Sequence, residues 1–141
     1  MDIEKITQIL KEFKDNTSGI QGVALLGKES LLITQSPIGD WDKACAIEIA
    51  GVMDHLTKRI TKQLLWTPEQ HICVKAENGY IIRVPCGSDM FLLVKASNSD
   101  IYGQGFLEVA INNIVKELQD AISSNSPNKE ENKEEEYQGR W

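Results

Sequence analysis

The sequence contains few cysteines, few aromatic residues and no long apolar run. Its three cysteines, Cys45, Cys73 and Cys86, are odd in number and widely spaced, which argues against a disulfide framework and is typical of reduced thiols. No stretch approaches the roughly 20 consecutive apolar residues that span a bilayer, and no charged-then-apolar leader opens the chain. We therefore expect a cytoplasmic protein that is neither secreted nor inserted in a membrane.

An excess of positive charge is also lacking. The 141 residues carry 15 Lys and Arg against 21 Asp and Glu, a formal net charge of −6, with no basic stripe. Because neutralised phosphates supply most of the affinity of nucleic-acid-binding proteins, we do not expect a nucleic-acid partner. With 41% hydrophobic residues, the chain has the composition and length of one globular domain.

Three segments repeat apolar residues at helical spacing: 2–15, 40–65 and 103–122. Asp2 is the expected N-cap of the first segment. On the middle segment, one stripe collects most of the apolar residues, and we expect this stripe to face the protein's own sheet. The members of the stripe are Cys45, Ile49, Val52, Met53, Leu56, Ile60 and Leu64.

Five further segments have the composition of strands. Apolar runs at 20–26 and 31–34 flank a short polar loop, which predicts a hairpin. The segment 71–76 alternates apolar and polar residues, as an edge strand covered on one face does. The segment 80–86 returns beside it, and the apolar run 90–94 is expected at the centre of the sheet.

The order of elements is helix, two strands, helix, three strands, helix. The Asn78-Gly79 pair predicts a type I′ turn between the third and fourth strands, with positive φ at both central residues. We predict an α+β fold: a five-stranded antiparallel sheet between one long helix and two terminal helices. The domain should cover residues 1–122. The Ser/Asn/Pro-rich and then Glu-rich residues 123–141 should form a disordered acidic tail, in which Tyr137 and Trp141 are either part of a plain spacer or a short docking motif.

This succession of elements resembles the Roadblock family of dynein light chains, which has a profilin-like layered fold. The resemblance covers roughly residues 3–120. It depends on the order of elements, on the first strand Gly-Val-Ala-Leu-Leu-Gly, on the Ala-rich middle helix and on a few single positions: Gly22, Ala24, Ala46, Gly79 and Leu93. The Asp-Gly pair common in the family's first hairpin is replaced here by Lys28-Glu29-Ser30. The resemblance implies a homodimer or heterodimer that binds other proteins, notably small Ras-like GTPases in prokaryotes and motor or scaffold complexes in eukaryotes.

Motifs for enzymatic chemistry are incomplete. The segment 22–30 nearly forms a phosphate-binding P-loop, but Glu29 replaces the hydroxyl residue that follows the lysine, and the next residues are those of a strand rather than a helix. His55 and His71 do not lie at metal-ligand spacing from a cysteine or carboxylate. We therefore expect no cofactor, no metal and no catalytic residue, and hence no enzyme.

Two sets of residues are candidates for protein binding. Lys58, Arg59 and Lys62, with Lys75 and Arg83 near them, form a basic cluster that is either an ordinary solvated face or a surface that attracts an acidic partner. The edge strand leaves backbone groups unpaired, and small residues of the middle helix lie outside its main stripe, so an isologous dimer is expected. Its predicted interface consists of Ile47, Ala50, Gly51, Ile72, Cys73, Val74 and Lys75.

The sequence therefore predicts a non-enzymatic, dimeric adaptor or regulator of a partner protein, with a small Ras-like GTPase as the favoured partner. None of its arginines can be nominated as an inserted catalytic finger. Two alternatives remain open: a sensory domain of similar layered shape that binds a small ligand, and a structural subunit of a larger complex.

Overall fold

One antiparallel sheet contains all five strands, in the order β2-β1-β5-β4-β3. The computed structural model describes residues 1–66, 71–87, 89–97 and 103–123. The strands are β1 (Ile20–Leu26), β2 (Ile38–Gly39), β3 (Ile72–Lys75), β4 (Gly79–Pro85) and β5 (Phe91–Ser97). The central position of β5 and the edge position of β3 confirm the predictions made from their patterns. The expected tail lies outside the described residues from 124 onward.

The three predicted helices are present: α1 (Ile3–Asn16), α2 (Lys43–Leu64) and α3 (Gly103–Ser123). The Asp2 carboxylate accepts the Lys5 N–H at 3.1 Å and caps α1, as predicted. The Asp42 carboxylate caps α2 in the same way, through the Cys45 N–H at 3.0 Å. Both acids therefore stabilise helix starts.

The sheet separates two apolar clusters. On one face, α1 and α3 pack over the inward side chains of β1, β4 and β5, among them Val23, Leu25 and Val94. On the other face, a smaller cluster joins α2 to Ala24, Leu26, Leu93 and their neighbours. Successive residues of a strand point to opposite faces, so the runs that are apolar on both sides, such as 23–26 in β1, are the ones with helices above and below. The predicted α+β layering is confirmed.

The predicted first hairpin is wrong in its second strand. Residues 28–30 form a short 3₁₀ helix, and the run 31–34 makes only a single bridge, from Leu32 to Leu26. The strand that pairs with β1 is instead β2, which follows the predicted strand in the chain. Leu31 is exposed, and the Thr34 hydroxyl donates to the Ser36 carbonyl at 2.8 Å, so local bonds turn the chain before a ladder can form.

The predicted type I′ turn between β3 and β4 is also wrong. Ala76 and Gly79 exchange backbone hydrogen bonds of 2.8 and 3.3 Å, which places Glu77 and Asn78 at the centre of the turn, and neither has a positive φ. Gly79 is the first residue of β4. A Cβ there would collide with the Ala96 carbonyl oxygen of β5. The glycine is therefore required by close strand approach and not by the turn.

The face that α2 turns toward the sheet differs from the prediction. Its buried residues are Ala46, Ala50, Met53 and Thr57. Of the predicted core stripe only Met53 is buried and Ile49 half-buried, whereas the rest of the stripe is exposed, including Cys45, Val52 and Leu56. The small side chains let the helix lie close to the sheet, while most of the large apolar side chains project away from this contact and remain exposed. Hydrophobic periodicity locates a stripe but does not say which neighbour covers it.

Candidate interaction surface

An exposed apolar stripe of α2 lies beside the open edge of the sheet. Cys45, Ile49 and Val52 of the helix line an open groove of about 400 Å³ together with Val74 of β3 and Ile81 of β4. Val52 is 60% exposed and Val74 48% exposed. Single exposed apolar residues are ordinary on a protein surface, but a contiguous patch marks an interaction site. We call these five residues the edge groove.

The strand beside this groove is short and pairs only with β4 in the described sheet. Its register pairs Ile72 with Arg83 and Val74 with Ile81, so both apolar side chains point to the α2 face. Cys73 and Lys75 point to the opposite face, and Lys75 lies 5.8 Å from the centre of the Tyr80 ring. The outer edge of β3 therefore presents backbone groups beside an apolar surface, which is a template for pairing with another strand.

The structure does not bring all seven predicted interface residues together. The four β3 residues lie at the edge. Ala50 is buried against the protein's own sheet, so placing it in an interface was wrong. Ile47 packs against the α2-side cluster, and Gly51 lies one step of about 100° around the helix from Val52, on the side away from the groove. Among these helix residues, Ala50 serves the contact with the protein's own sheet, and a contact of Ile47 and Gly51 with a second molecule stays a prediction.

The basic cluster lies on the outward side of α2. Lys58, Arg59 and Lys62 are all exposed, as expected. Lys58 pairs with Asp54, four residues earlier, at 3.0 Å. Arg83 lies near Lys58, as expected, because both bind the Asp54 carboxylate, but its side chain is only 2% exposed and adds no charge to the outer surface.

Arg83 is a buried cation that the sequence pattern did not identify as a partner of α2. Its Nη2 donates to the Asp54 carboxylate at 3.0 Å, and its Cζ lies 3.6 Å from the centre of the Phe91 ring. Burial lowers the pKa of the guanidinium, and the Asp54 charge opposes this shift. The sequence does contain a signal for this contact: Arg83 lies between Ile82 and Val84 in an otherwise apolar strand. A charge buried in such a strand needs a partner of opposite charge.

A small cleft opens between this ion pair and the loop after β1. It has a volume of about 220 Å³ and is bordered by both signs of charge, with Lys28, Lys58 and Arg83 facing Glu29, Asp54 and Asp89. Small-molecule sites usually occupy about 300–1,000 Å³. Because the cleft is small and its buried cation already has a carboxylate beside it, the arrangement does not favour the sensory alternative.

The remaining candidate groups stay apart. Within the described ranges, no three potential metal ligands among His, Cys, Asp and Glu come together. His55 and His71 are exposed. Cys45 is exposed rather than in the core as expected, and Cys73 is also exposed. Burial raises the pKa of the Cys86 thiol to about 12. No helix in this part of the chain is long and apolar enough to cross a membrane.

The geometry is similar to that of several solved structures. MglB from Myxococcus xanthus matches with a TM-score of 0.74 at 17% identity, over 87% of this chain and 91% of that one. A Roadblock/LC7 domain from Streptomyces avermitilis matches with a TM-score of 0.67 at 16% identity, over 82% and 96%. MglB from Thermus thermophilus matches with a TM-score of 0.67 at 15% identity, over 83% and 87%.

This similarity of fold is not accompanied by a detectable similarity of sequence. No protein-family model and no curated protein matches the sequence. The resemblance inferred from the order of elements is nonetheless confirmed in three dimensions, down to the sheet and the three helices. A profilin in complex with actin also matches, with a TM-score of 0.58, as the layered fold predicts. The chain thus has the Roadblock/LC7 fold.

Proposed function

We propose that this protein is a non-enzymatic adaptor that forms a homodimer through the edge groove and β3 and binds a small Ras-like GTPase. The observation that carries the dimer is the apolar stripe of α2 beside an open sheet edge. A second copy related by a two-fold axis would pair β3 with β3 and cover both grooves at once. Self-association is also supported by a structure of similar fold, described as MglB with a tetrameric arrangement.

Light scattering of the purified protein tests the dimer. We expect about twice the chain's 15.8 kDa at micromolar concentration. Val52→Glu should lower the mass to that of one chain, because an unpaired carboxylate in a desolvated interface is costly. Val109→Glu is the matched control: Val109 of α3 is 59% exposed, nearly as much as Val52, and lies away from the groove. A monomer for the unmodified protein, or equal effects of both variants, would refute the edge-groove dimer.

The GTPase partner is supported by the basic outward face of α2 and by the family resemblance of the chain. Lys58, Arg59 and Lys62 carry three positive charges on a protein of net charge −6, and such a local field attracts an acidic partner surface. The adaptor would act by holding the partner and changing its conformation, since the cluster offers recognition rather than chemistry.

Titration calorimetry with small Ras-like GTPases from the same organism, loaded with GDP or with a GTP analogue, tests this partner. The charge reversal Arg59→Glu/Lys62→Glu should weaken binding at least tenfold and reduce its dependence on salt. Lys14→Glu/Lys116→Glu, on the opposite layer, is the control for net charge and should change binding little. Binding that survives the reversal unchanged, or no binding to any of these GTPases, would contradict the proposal.

A further inference from the structure

The last two turns of α2 lie beyond the five residues of the edge groove. Thr57 is the last buried residue of the helix. Lys58 lines the same cleft as Asp89, in the turn between β4 and β5, and Phe91, the first residue of β5. Residues beyond it therefore project past the end of the sheet. They alternate basic and apolar side chains, and we call this set the distal surface: Arg59, Ile60, Lys62, Leu64, Leu65 and Trp66.

The distal surface exposes large apolar groups in a strained arrangement. Leu65 is 90% exposed and Trp66 is 64% exposed. Leu65 also closes the helix in the left-handed conformation, with φ 57° and ψ 34°, a position that glycine occupies without strain. The turn lets the Leu65 and Trp66 N–H groups bond the Lys62 and Thr61 carbonyls, but the two exposed side chains add nothing to the apolar core. Strained, exposed apolar residues are typical of recognition sites.

The chain leaves α3 at the same end of the molecule. The Val115 carbonyl lies 3.9 Å from the Cys86 sulfur, beside the turn between β4 and β5. The last turns of α3 therefore run past that turn, as those of α2 do on the other face. Successive layers lie about 10 Å apart, so the layers of the two helices are separated by about 20 Å across the sheet.

The segment that follows α3 has the complementary chemistry. Residues 130–136 contain five glutamates and one lysine, and Tyr137 and Trp141 follow them. Residues 55–66 contain three Lys and Arg and no Asp or Glu. Glu134 is the eleventh residue after Ser123, and eleven residues span about 18 Å on average as a random coil and about 36 Å when extended. The acidic run can reach the distal surface of its own chain.

We propose that residues 130–141 bind the distal surface of the same chain, with the glutamates against Arg59 and Lys62 and the aromatic rings against the exposed Leu65 and Trp66. The segment shields part of the basic cluster until a partner displaces it. That regulatory consequence rests on the proposed partner binding, whereas the contact itself does not.

Paramagnetic relaxation in the full chain tests the contact. In a Cys45→Ser/Cys73→Ser background, Gly139→Cys carries a nitroxide, since the remaining Cys86 is buried. In spectra of ¹⁵N-labelled protein, amides of 59–66 should lose most of their intensity relative to the reduced label, while those of 35–39 should not. Glu134→Lys/Glu135→Lys/Glu136→Lys and Arg59→Glu/Lys62→Glu should each abolish the loss, and their combination should restore it.

Three outcomes would overturn the inference: no broadening of 59–66, broadening that both charge reversals leave unchanged, or broadening that appears only when a ¹⁵N-labelled copy is mixed with a spin-carrying copy that lacks ¹⁵N. The last result would assign the segment to a neighbouring molecule. The Val52→Glu variant, measured in parallel, should retain the broadening. A failed dimer then leaves this contact intact, and a failed contact leaves the dimer intact.

Discussion

Arg83 shows how one buried charge ties α2 to the sheet. The Asp54 carboxylate lies beside its guanidinium, and the Asp54 side chain is about one-third exposed. We expect Asp54→Ala to lower the free energy of unfolding by about 1–3 kcal/mol, because the buried cation would lose this countercharge. Lys58→Ala breaks the other, exposed ion pair and should cost less than about 0.5 kcal/mol. Urea unfolding of both variants is the measurement, and equal losses would contradict this account.

Cys86 makes a stability contribution that depends on pH. Burial raises the pKa of its thiol from 9.0 to about 12. The folded protein therefore keeps this proton at a pH where the unfolded chain releases it, and unfolding becomes more favourable as pH rises. The contribution is full below pH 9 and is lost progressively between pH 9 and about 12. Urea unfolding at several pH values should show that the free energy of unfolding falls more steeply between about pH 9 and 12 for the unmodified protein than for Cys86→Ala. Parallel pH curves for the two proteins would contradict this role of Cys86.

At the scale of elements, α2 ends in a residue whose backbone conformation is strained, and substitution can test this strain. Leu65 has a positive φ, and Leu64 before it is still helical. In a chain that ends at Ser123, and so lacks the segment proposed to contact Leu65, Leu65→Gly should raise the free energy of unfolding by about 1 kcal/mol, because glycine adopts this conformation without a Cβ clash. Leu64→Gly should lower it by about the same amount, since glycine loses more backbone entropy in a helix. Thermal unfolding compares the two neighbours. Destabilisation by Leu65→Gly would mean that the exposed leucine packs on another group.

The sequence patterns predicted the helices and most strands correctly, but they misplaced the second strand and the buried face of α2. The three helices, the edge strand and the central strand have repeats of the right period and the right length, so local sequence is sufficient to find them. The second strand was misplaced because β2 has two residues, Ile38 and Gly39, and no pattern can mark so short an element. The face of α2 was misassigned because Ala46 and Ala50 pack on the sheet, while larger apolar residues remain outside.

For the whole molecule, we expect residues 124–141 to be dispensable for folding. Ala121 is the last fully buried residue of α3, so the apolar core is complete before the tail begins. Deleting 124–141 should shift the Tm by less than about 3 °C, because exposed charge pairs of the kind proposed for the tail contribute little. Differential scanning calorimetry of the truncated and full chains decides the question. A loss of several degrees beyond that would show that the tail belongs to the folded body.

The sequence by itself determined the class of the molecule: its helices, most of its strands, the layering, and the basic cluster at 58–62. These follow from local periodicity and from the chemistry of single residues. Only the tertiary structure decided which side of α2 is free, that Arg83 is buried beside Asp54, and that Ile47, Ala50 and Gly51 do not join the β3 edge in one surface. Those outcomes depend on how closely two layers pack. Small residues permit close packing on the protein's own sheet and on a second molecule alike, so the sequence pattern does not identify which of the two they contact.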